Sequence, residues 1–133
     1  MSSDSLRILV VEDNDTFRET VRELLQDAGY KVRGASSVRK ATKRLTHHEF
    51  DLVLTDFDLG DASGFDVIEI ANAHHPGVKL VMMSATDGLA DQALNLGVVR
   101  FLAKPFGAQM LLDTVAELLD TVNEDAPLSF LPP

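Results

Sequence analysis

The feature that most constrains the fold of this chain is a regular alternation of short aliphatic runs and longer amphipathic stretches. Residues 6–11 form an aliphatic run typical of a strand that is buried on both faces of a sheet. The stretch that follows repeats its apolar residues at helical spacing and stops at Gly29. Because strand-then-helix units of this kind wind onto a parallel sheet, the pattern predicts an α/β fold.

Five such units can be placed along the 133 residues, a length that suits one domain. Each unit consists of a strand and the helix that follows it. The first helix is expected to have Asn14 or Asp15 as its N-cap. The fourth and fifth helices are predicted over residues 89–96 and about 108–123. The predicted strands are residues 6–11, 30–35, 52–55, 78–83 and 98–103.

The composition argues against several classes of protein. The chain has no Cys, so disulfides and thiolate metal sites are not available, and no charged leader with an apolar stretch marks export. Its apolar runs are far shorter than the ~20 residues that span a bilayer. With 21 acidic and 12 basic residues, the net charge of -9 repels nucleic acid and anionic lipid. We therefore expect a soluble cytoplasmic domain that contacts neither nucleic acid nor membrane directly.

Polar residues, most of them acidic, follow the predicted strands at the point where each strand ends. Ligands of an open parallel sheet bind beyond the carboxyl ends of its strands, so these residues meet at one edge. A single Asp or Ser after a strand would be an ordinary turn or cap residue, but the whole set indicates a functional site. The set consists of Glu12, Asp13, Asp56, Asp58, Ser84 and Lys104.

The charges of this set require a cation. Two carboxylates about 5 Å apart repel each other by roughly 3 kcal/mol at an effective dielectric constant of 20. No His or Cys accompanies the carboxylates, and an all-oxygen site favours a hard ion such as Mg²⁺. A carboxylate beside a metal ion and a lysine is also a plausible nucleophile toward a phosphoryl group, with which it forms an acyl phosphate.

Four short motifs stand at the ends of the predicted strands, namely Glu12-Asp13, Asp56, Ser84-Ala85 and Lys104-Pro105-Phe106. Together they resemble the receiver domain of two-component response regulators, the CheY-like family. The resemblance covers residues 6 to about 122. It implies a flavodoxin-like, doubly wound sheet of five parallel strands in the order 2-1-3-4-5, flanked by five helices. It also implies a receiver domain at residues 1–123 and a flexible C-terminal tail at 124–133.

The resemblance implies a role for each acidic residue of the set. Asp13 would bind Mg²⁺ directly, and Glu12 would support the ion through a water molecule. Asp56 would be both the phosphorylated nucleophile and a metal ligand. Asp58 would contribute its backbone carbonyl oxygen. Mg²⁺ is therefore the expected cofactor.

Three further residues would couple the phosphorylated site to the rest of the domain. Ser84 would donate its hydroxyl to a phosphate oxygen, and Lys104 would pair with another, beside a peptide bond to Pro105 that is cis in the family. Phe101 would be the aromatic whose rotamer changes with the state of the site. Such a switch is no ordinary enzyme, because it catalyses only its own phosphorylation and dephosphorylation.

The resemblance also implies partners. A sensor histidine kinase or a histidine phosphotransferase would donate the phosphoryl group, and a downstream protein or an output domain would receive the signal. The domain would be a monomer, or a phosphorylation-dependent dimer through the face of the fourth helix, fifth strand and fifth helix. Because no output domain follows, we expect a stand-alone receiver or the N-terminal part of a longer regulator.

One residue and the length of one segment depart from the family pattern. Gly60 stands where the family usually has Pro, which predicts a more flexible loop after Asp56. The segment from Ser84 to Lys104 is two residues shorter than the family leads us to expect, which predicts a short fourth helix.

Two other classes of function fit part of the pattern. Asp56-Phe57-Asp58, followed later by Ser84 and Lys104, resembles the haloacid-dehalogenase phosphatases. In that family, however, the nucleophile normally follows the first strand and an acidic pair follows the lysine. The second of these classes is a receiver-like interaction module that has lost phosphorylation. The presence of all the charged site residues argues against it.

Overall fold

The computed structural model describes residues 5–60 and 62–119, and in this part of the chain five strands and five helices alternate. The strands are β1 (Arg7–Val11), β2 (Lys31–Ala35), β3 (Leu52–Asp56), β4 (Lys79–Ser84) and β5 (Arg100–Ala103). The helices are α1 (Asp15–Asp27), α2 (Val38–His47), α3 (Gly64–His74), α4 (Ala90–Asn95) and α5 (Ala108–Leu119). None of the helices in these residues is long and apolar enough to cross a membrane.

The strands form one parallel sheet in the order β2-β1-β3-β4-β5, which confirms the predicted topology. The chain moves outward from β1 to β2 and then returns to β3 on the other side, so β1 and β3 enclose the crevice where ligands bind. The register pairs Val11 of β1 with Thr55 of β3. The residues that come next, Glu12 and Asp56, therefore reach the same edge side by side.

Helices cover both faces of the sheet, which explains the uninterrupted aliphatic character of its strands. Successive side chains point to opposite faces. On one face, Leu9 and Val53 pack in a core with residues of α2, α3 and α4. On the other face, Ile8 and Leu54 pack with residues of α1 and α5. Every residue of the central strand β3 is buried.

Side-chain caps fix where several helices begin. Asn14, one of the two predicted N-caps, accepts a hydrogen bond from the Phe17 N–H at 2.8 Å. Ser63 caps α3 through a capping box with Asp66. Helix α4 has only six residues and no side-chain cap, which confirms the predicted short fourth helix.

The predicted start of the fifth strand, at residue 98, was wrong by two residues. Gly97 has a φ of 99°, and the turn that it makes directs the Val98 N–H back to the carbonyl oxygen of Ala93 in α4. Regular pairing with β4 therefore begins at Arg100. The predicted end of the last helix at 123 and the predicted tail at 124–133 lie outside the described residues.

Candidate functional site

Three carboxylates converge where β1 and β3 end. One oxygen from each of Glu12, Asp13 and Asp56 lies within 4.8 Å of the others. Glu12 and Asp56 are only 2% and 5% exposed, whereas Asp13 faces solvent. The cluster is thus open on the side of Asp13. Its donors are all oxygens, so its chemistry fits a hard divalent ion such as Mg²⁺, which would be held directly by carboxylates and completed by water.

Lys104 bridges two members of this cluster from the far side of the sheet. Its Nζ lies 2.8 Å from Oε1 of Glu12 and 2.9 Å from Oδ1 of Asp56. Its backbone N–H donates to the Ser84 carbonyl oxygen, so the end of β4 fixes where the side chain begins. The peptide bond to Pro105 is cis, as the resemblance implied.

Aromatic rings support the lysine. Its Nζ lies 4.5 Å from the centroid of the Phe17 ring, within the range of a cation–π contact. Phe17 in turn packs edge-to-face against Phe106 at a centroid distance of 5.8 Å. The ammonium group of Lys104 thus contacts an aromatic ring as well as the two buried carboxylates.

Backbone groups hold both buried carboxylates in place. The Asp58 N–H donates to Oδ2 of Asp56 at 3.1 Å, and Lys104 occupies the other oxygen. The Asn14 N–H donates to Oε2 of Glu12 at 3.1 Å, and a guanidinium N–H of Arg18 donates to the Glu12 carbonyl oxygen at 2.8 Å. Each carboxylate therefore has one oxygen on the lysine and the other on a backbone N–H.

A glycine lets α3 begin directly beneath the acceptor. A Cβ atom on Gly64 would collide with the backbone carbonyl group of Asp56 and with the Cα of Phe57. The Gly64 N–H also donates to the Phe57 carbonyl oxygen at 2.7 Å. The loop from β3 into α3 can close this tightly only because residue 64 has no side chain.

Burial and the neighbouring charges both shift the pKa values of Asp56, Glu12 and Lys104. Burial raises the pKa of the Asp56 carboxyl, the Lys104 contact opposes the rise, and the charge of Asp13 adds to it. Burial also raises the pKa of Glu12, against the hydrogen bond from Lys104. Burial by itself would lower the pKa of Lys104, but the contacts with Glu12 and Asp56 outweigh it and raise that pKa. One lysine does not compensate three carboxylates, so a divalent cation would supply the missing charge.

A family model for the response regulator receiver domain matches residues 8–116. The chain belongs to this family. The receiver domain is 34% identical over 122 residues to the response regulator protein PilR of Pseudomonas aeruginosa. The match covers 90% of this chain but only 27% of PilR, so the chain spans about a quarter of this relative's length.

Solved receiver domains have the same fold. A CheY-like receiver domain protein from Methanospirillum hungatei superposes with a TM-score of 0.84 at 28% identity and covers 91% of this chain and 98% of its own. The response regulator TrrA of Thermotoga maritima, solved in complex with Mg²⁺-BeF, gives a TM-score of 0.78 at 27% identity. The match covers 86% of this chain and 99% of TrrA. Nothing in these comparisons supports the haloacid-dehalogenase alternative.

The remaining predicted residues of the receiver domain lie around the cluster. Ser84 ends β4 and is buried, and its Oγ accepts the Thr86 N–H at 2.8 Å. Phe101 of β5 is half-buried against the core on the α2, α3 and α4 side of the sheet. Asp58 is exposed, and its carboxylate is not part of the acidic cluster found among the described residues. It instead accepts the Gly60 N–H at 3.2 Å.

Sequence reasoning missed three residues that shape the receiver site. It counted Phe17 only among the apolar repeats of the first helix, assigned no role to Arg18, and treated Asn14 only as a cap. Asn14 and Arg18 contact Glu12 at the end of β1, and Phe17 contacts Lys104, which the helical period alone does not reveal. The short distance in sequence between the acidic end of the first strand and the start of the first helix could have indicated these contacts. A helix that begins so soon after a strand brings its first turn close to the end of that strand.

Proposed function

We propose that this receiver domain is a phosphoacceptor switch in which Asp56 takes a phosphoryl group with the help of Mg²⁺. Asp13 and Asp56 would bind the ion directly, Asp58 through its backbone carbonyl oxygen, and Glu12 through water. The observation that carries the proposal is the contact of the Lys104 ammonium group with both Glu12 and Asp56 inside a cluster of three carboxylates.

The geometry suits Asp56 to nucleophilic attack on phosphorus. Lys104 and the Asp58 N–H each hold one oxygen of Asp56, so its carboxylate plane is fixed before a donor arrives. Mg²⁺, when bound, supplies positive charge for the phosphoryl oxygens and lowers the pKa of the nearby carboxylates. Attack forms a bond between the Asp56 oxygen and phosphorus, and the bond from phosphorus to the donor breaks. Lys104 is then within reach of an oxygen of the acyl phosphate.

The proposed donor is a sensor histidine kinase or a histidine phosphotransferase, which would present a phosphorylated imidazole at the open side of the cluster near Asp13. The domain itself would catalyse this transfer and the later hydrolysis, in the cytoplasm, where receiver domains generally work. Ser84 and Phe101 would report the phosphorylated state to a downstream protein or to an output domain.

The proposed output surface comprises α4, β5 and α5. Three large hydrophobic side chains in the described part of the chain are well exposed. They are Leu94 of α4 at 59%, Val99 just before β5 at 39%, and Met110 of α5 at 55%. Their position on these neighbouring elements supports a partner or phosphorylation-dependent dimer contact at this surface.

Acetyl phosphate with Mg²⁺ tests the proposed function, with intact mass as the readout. The wild type should gain one phosphoryl group that hydroxylamine removes, and Asp56→Ala should gain none. Asp58→Ala is the matched control, since it retains the backbone carbonyl and should still be labelled. Equal labelling of Asp56→Ala and the wild type would show that another residue is the acceptor.

A further inference from the structure

Half of the basic residues of the chain are concentrated in one segment that contains no acidic residue. Half of the 12 basic residues lie between residues 28 and 48, and all 21 acidic residues lie outside that segment. The segment forms edge strand β2 and helix α2. A protein with a net charge of -9 therefore carries one strongly positive surface.

Four basic residues of helix α2 form a band on its surface. Lys40 and Lys43 lie one helical turn before Arg44 and His47, and all four lie outside the buried stripe of Ala41 and Leu45. Together with His48 they line a shallow groove of about 440 Å³ beside Gly34 of β2. The basic β2–α2 face is defined here as this band, His48, and Arg33 on the edge strand.

These positive charges lack acidic partners within residues 5–60 and 62–119. By contrast, Arg18, Arg22, Arg100 and Lys104 all form ion pairs with carboxylates. Within the face, Nε of Arg44 donates to the Gly34 carbonyl oxygen, and Nδ1 of His47 lies 2.8 Å from the Lys43 carbonyl oxygen. Partial burial, and then the charges of Arg33 and Arg44, lower the pKa of His48, as expected in a positive potential.

The edge of β2 is closed to strand pairing. Arg44 donates to the outward carbonyl oxygen of Gly34 at 3.1 Å, and Arg22 donates to that of Val32 at 3.4 Å. An extended peptide would have to displace both guanidinium groups to add as a sixth strand. Recognition at this face therefore relies on side-chain charge.

We propose that the basic β2–α2 face is a docking surface for an acidic segment of a partner protein, separate from the phosphoacceptor site. A long nucleic acid fits less well, because it would extend past the face into the field of the surrounding acidic surface, which acts over about 8–10 Å at physiological salt. A compact acidic segment can contact the face alone. Carboxylates on such a segment would pair with Lys40, Lys43 and Arg44 at the rim of the groove.

Fluorescence anisotropy with a short labelled poly-glutamate peptide tests this proposal. The wild type should bind the peptide, and binding should weaken steeply as salt is added. Lys40→Glu with Lys43→Glu should weaken binding by about tenfold or more, because like charges then face each other. Lys79→Glu with Arg100→Glu changes the net charge equally at the opposite side of the sheet and should change binding by less than about twofold.

Several results would overturn the proposal. They are the absence of salt-sensitive binding by the wild type, an equal loss in the Lys79 and Arg100 variant, or equally tight binding of duplex DNA. Self-association of the wild type that depends on Lys40 and Lys43 would identify a second copy as the occupant instead. The Lys40 and Lys43 variant should still be phosphorylated by acetyl phosphate, so a failure here is distinguishable from a failure of the phosphoacceptor site.

Discussion

The ammonium group of Lys104 and the carboxylate of Asp56 lie 2.9 Å apart, although their strands, β5 and β3, are separated in the sheet by β4. The same ammonium group contacts Glu12 beyond Asp56. The lysine thus spans the carboxyl ends of the sheet. Because it offsets only one of three negative charges, the cluster keeps an excess of negative charge that a bound cation would offset.

Mg²⁺ should stabilise the folded domain. At a concentration one hundred times its dissociation constant, the ion should add about 2.7 kcal/mol to the free energy of unfolding. Asp13→Asn should lose most of this gain, because Asp13 is the exposed carboxylate of the cluster. Asp27→Asn, an exposed carboxylate at the end of α1, is the control and should keep it. Urea denaturation with and without Mg²⁺ measures the effect, and an unchanged gain in Asp13→Asn would argue against the metal site.

Without a metal, Asp56→Asn should make the domain more stable at neutral pH. Burial raises the folded-state pKa of Asp56 above its ordinary 3.8, so the ionised carboxylate costs stability above that range. As the pH falls through the raised pKa toward 3.8, the wild type takes up the proton and the difference between the two proteins should shrink. Urea denaturation over a pH series in EDTA follows this difference. If the stability difference between Asp56→Asn and the wild type grew toward acid pH, the pKa of Asp56 would not be raised in the folded domain.

Gly64→Ala should destabilise the domain by about 1–3 kcal/mol, because the new methyl group must displace the backbone of Asp56 and Phe57. Gly107→Ala is a matched control, since a Cβ atom there meets nothing within 4 Å, and it should cost less than about 1 kcal/mol. Thermal unfolding of both variants measures the contrast. A similar loss of stability in the two variants would mean that the close approach of the backbone at Gly64 does not affect stability.

Much of the fold followed from the sequence because its strongest signals are local. Strands β1 and β3 are buried on both faces, and their aliphatic runs showed this directly. The site residues followed because parallel strands bring their carboxyl ends to one edge. Contacts between residues far apart in the sequence were harder to predict, such as the contact of the Phe17 ring with Lys104. The true start of β5 depends on the turn at Gly97, which the propensity of Val98 and Val99 concealed.

The loop after the acceptor shows the same limit. The sequence predicted only added flexibility at Gly60, and that remains a prediction. In the folded domain Gly60 has a φ of 84° and donates its N–H to Asp58, two features that Pro cannot provide. The hydrogen bond between the Asp58 side chain and the Gly60 N–H could therefore not be predicted from either residue alone.

Ser84→Ala should leave phosphorylation possible while weakening its effect on the α4, β5 and α5 surface. The register pairs Met82 with Phe101, so Ser84 and Phe101 direct their side chains to the same face of the sheet. Phosphorylation would shift a pre-existing equilibrium, and a shift from 1:99 to 99:1 requires about 5.5 kcal/mol. NMR shifts of residues 86–106 with Mg²⁺ and beryllofluoride measure the coupling. Equal shifts in wild type and Ser84→Ala would exclude the hydroxyl as the coupling element.

Asp56 is the proposed phosphoacceptor, and mapping the modified residue shows whether it carries the phosphoryl group. Hydroxylamine converts an acyl phosphate to a hydroxamate, which leaves a permanent mass change on the acceptor. The domain should be phosphorylated with acetyl phosphate and Mg²⁺, treated with hydroxylamine, digested and sequenced by tandem mass spectrometry. We expect the hydroxamate on Asp56 alone, with none in a sample to which EDTA was added before acetyl phosphate. A hydroxamate on Asp13, Asp58 or any other residue, with Asp56 unmodified, would exclude Asp56 as the phosphoacceptor.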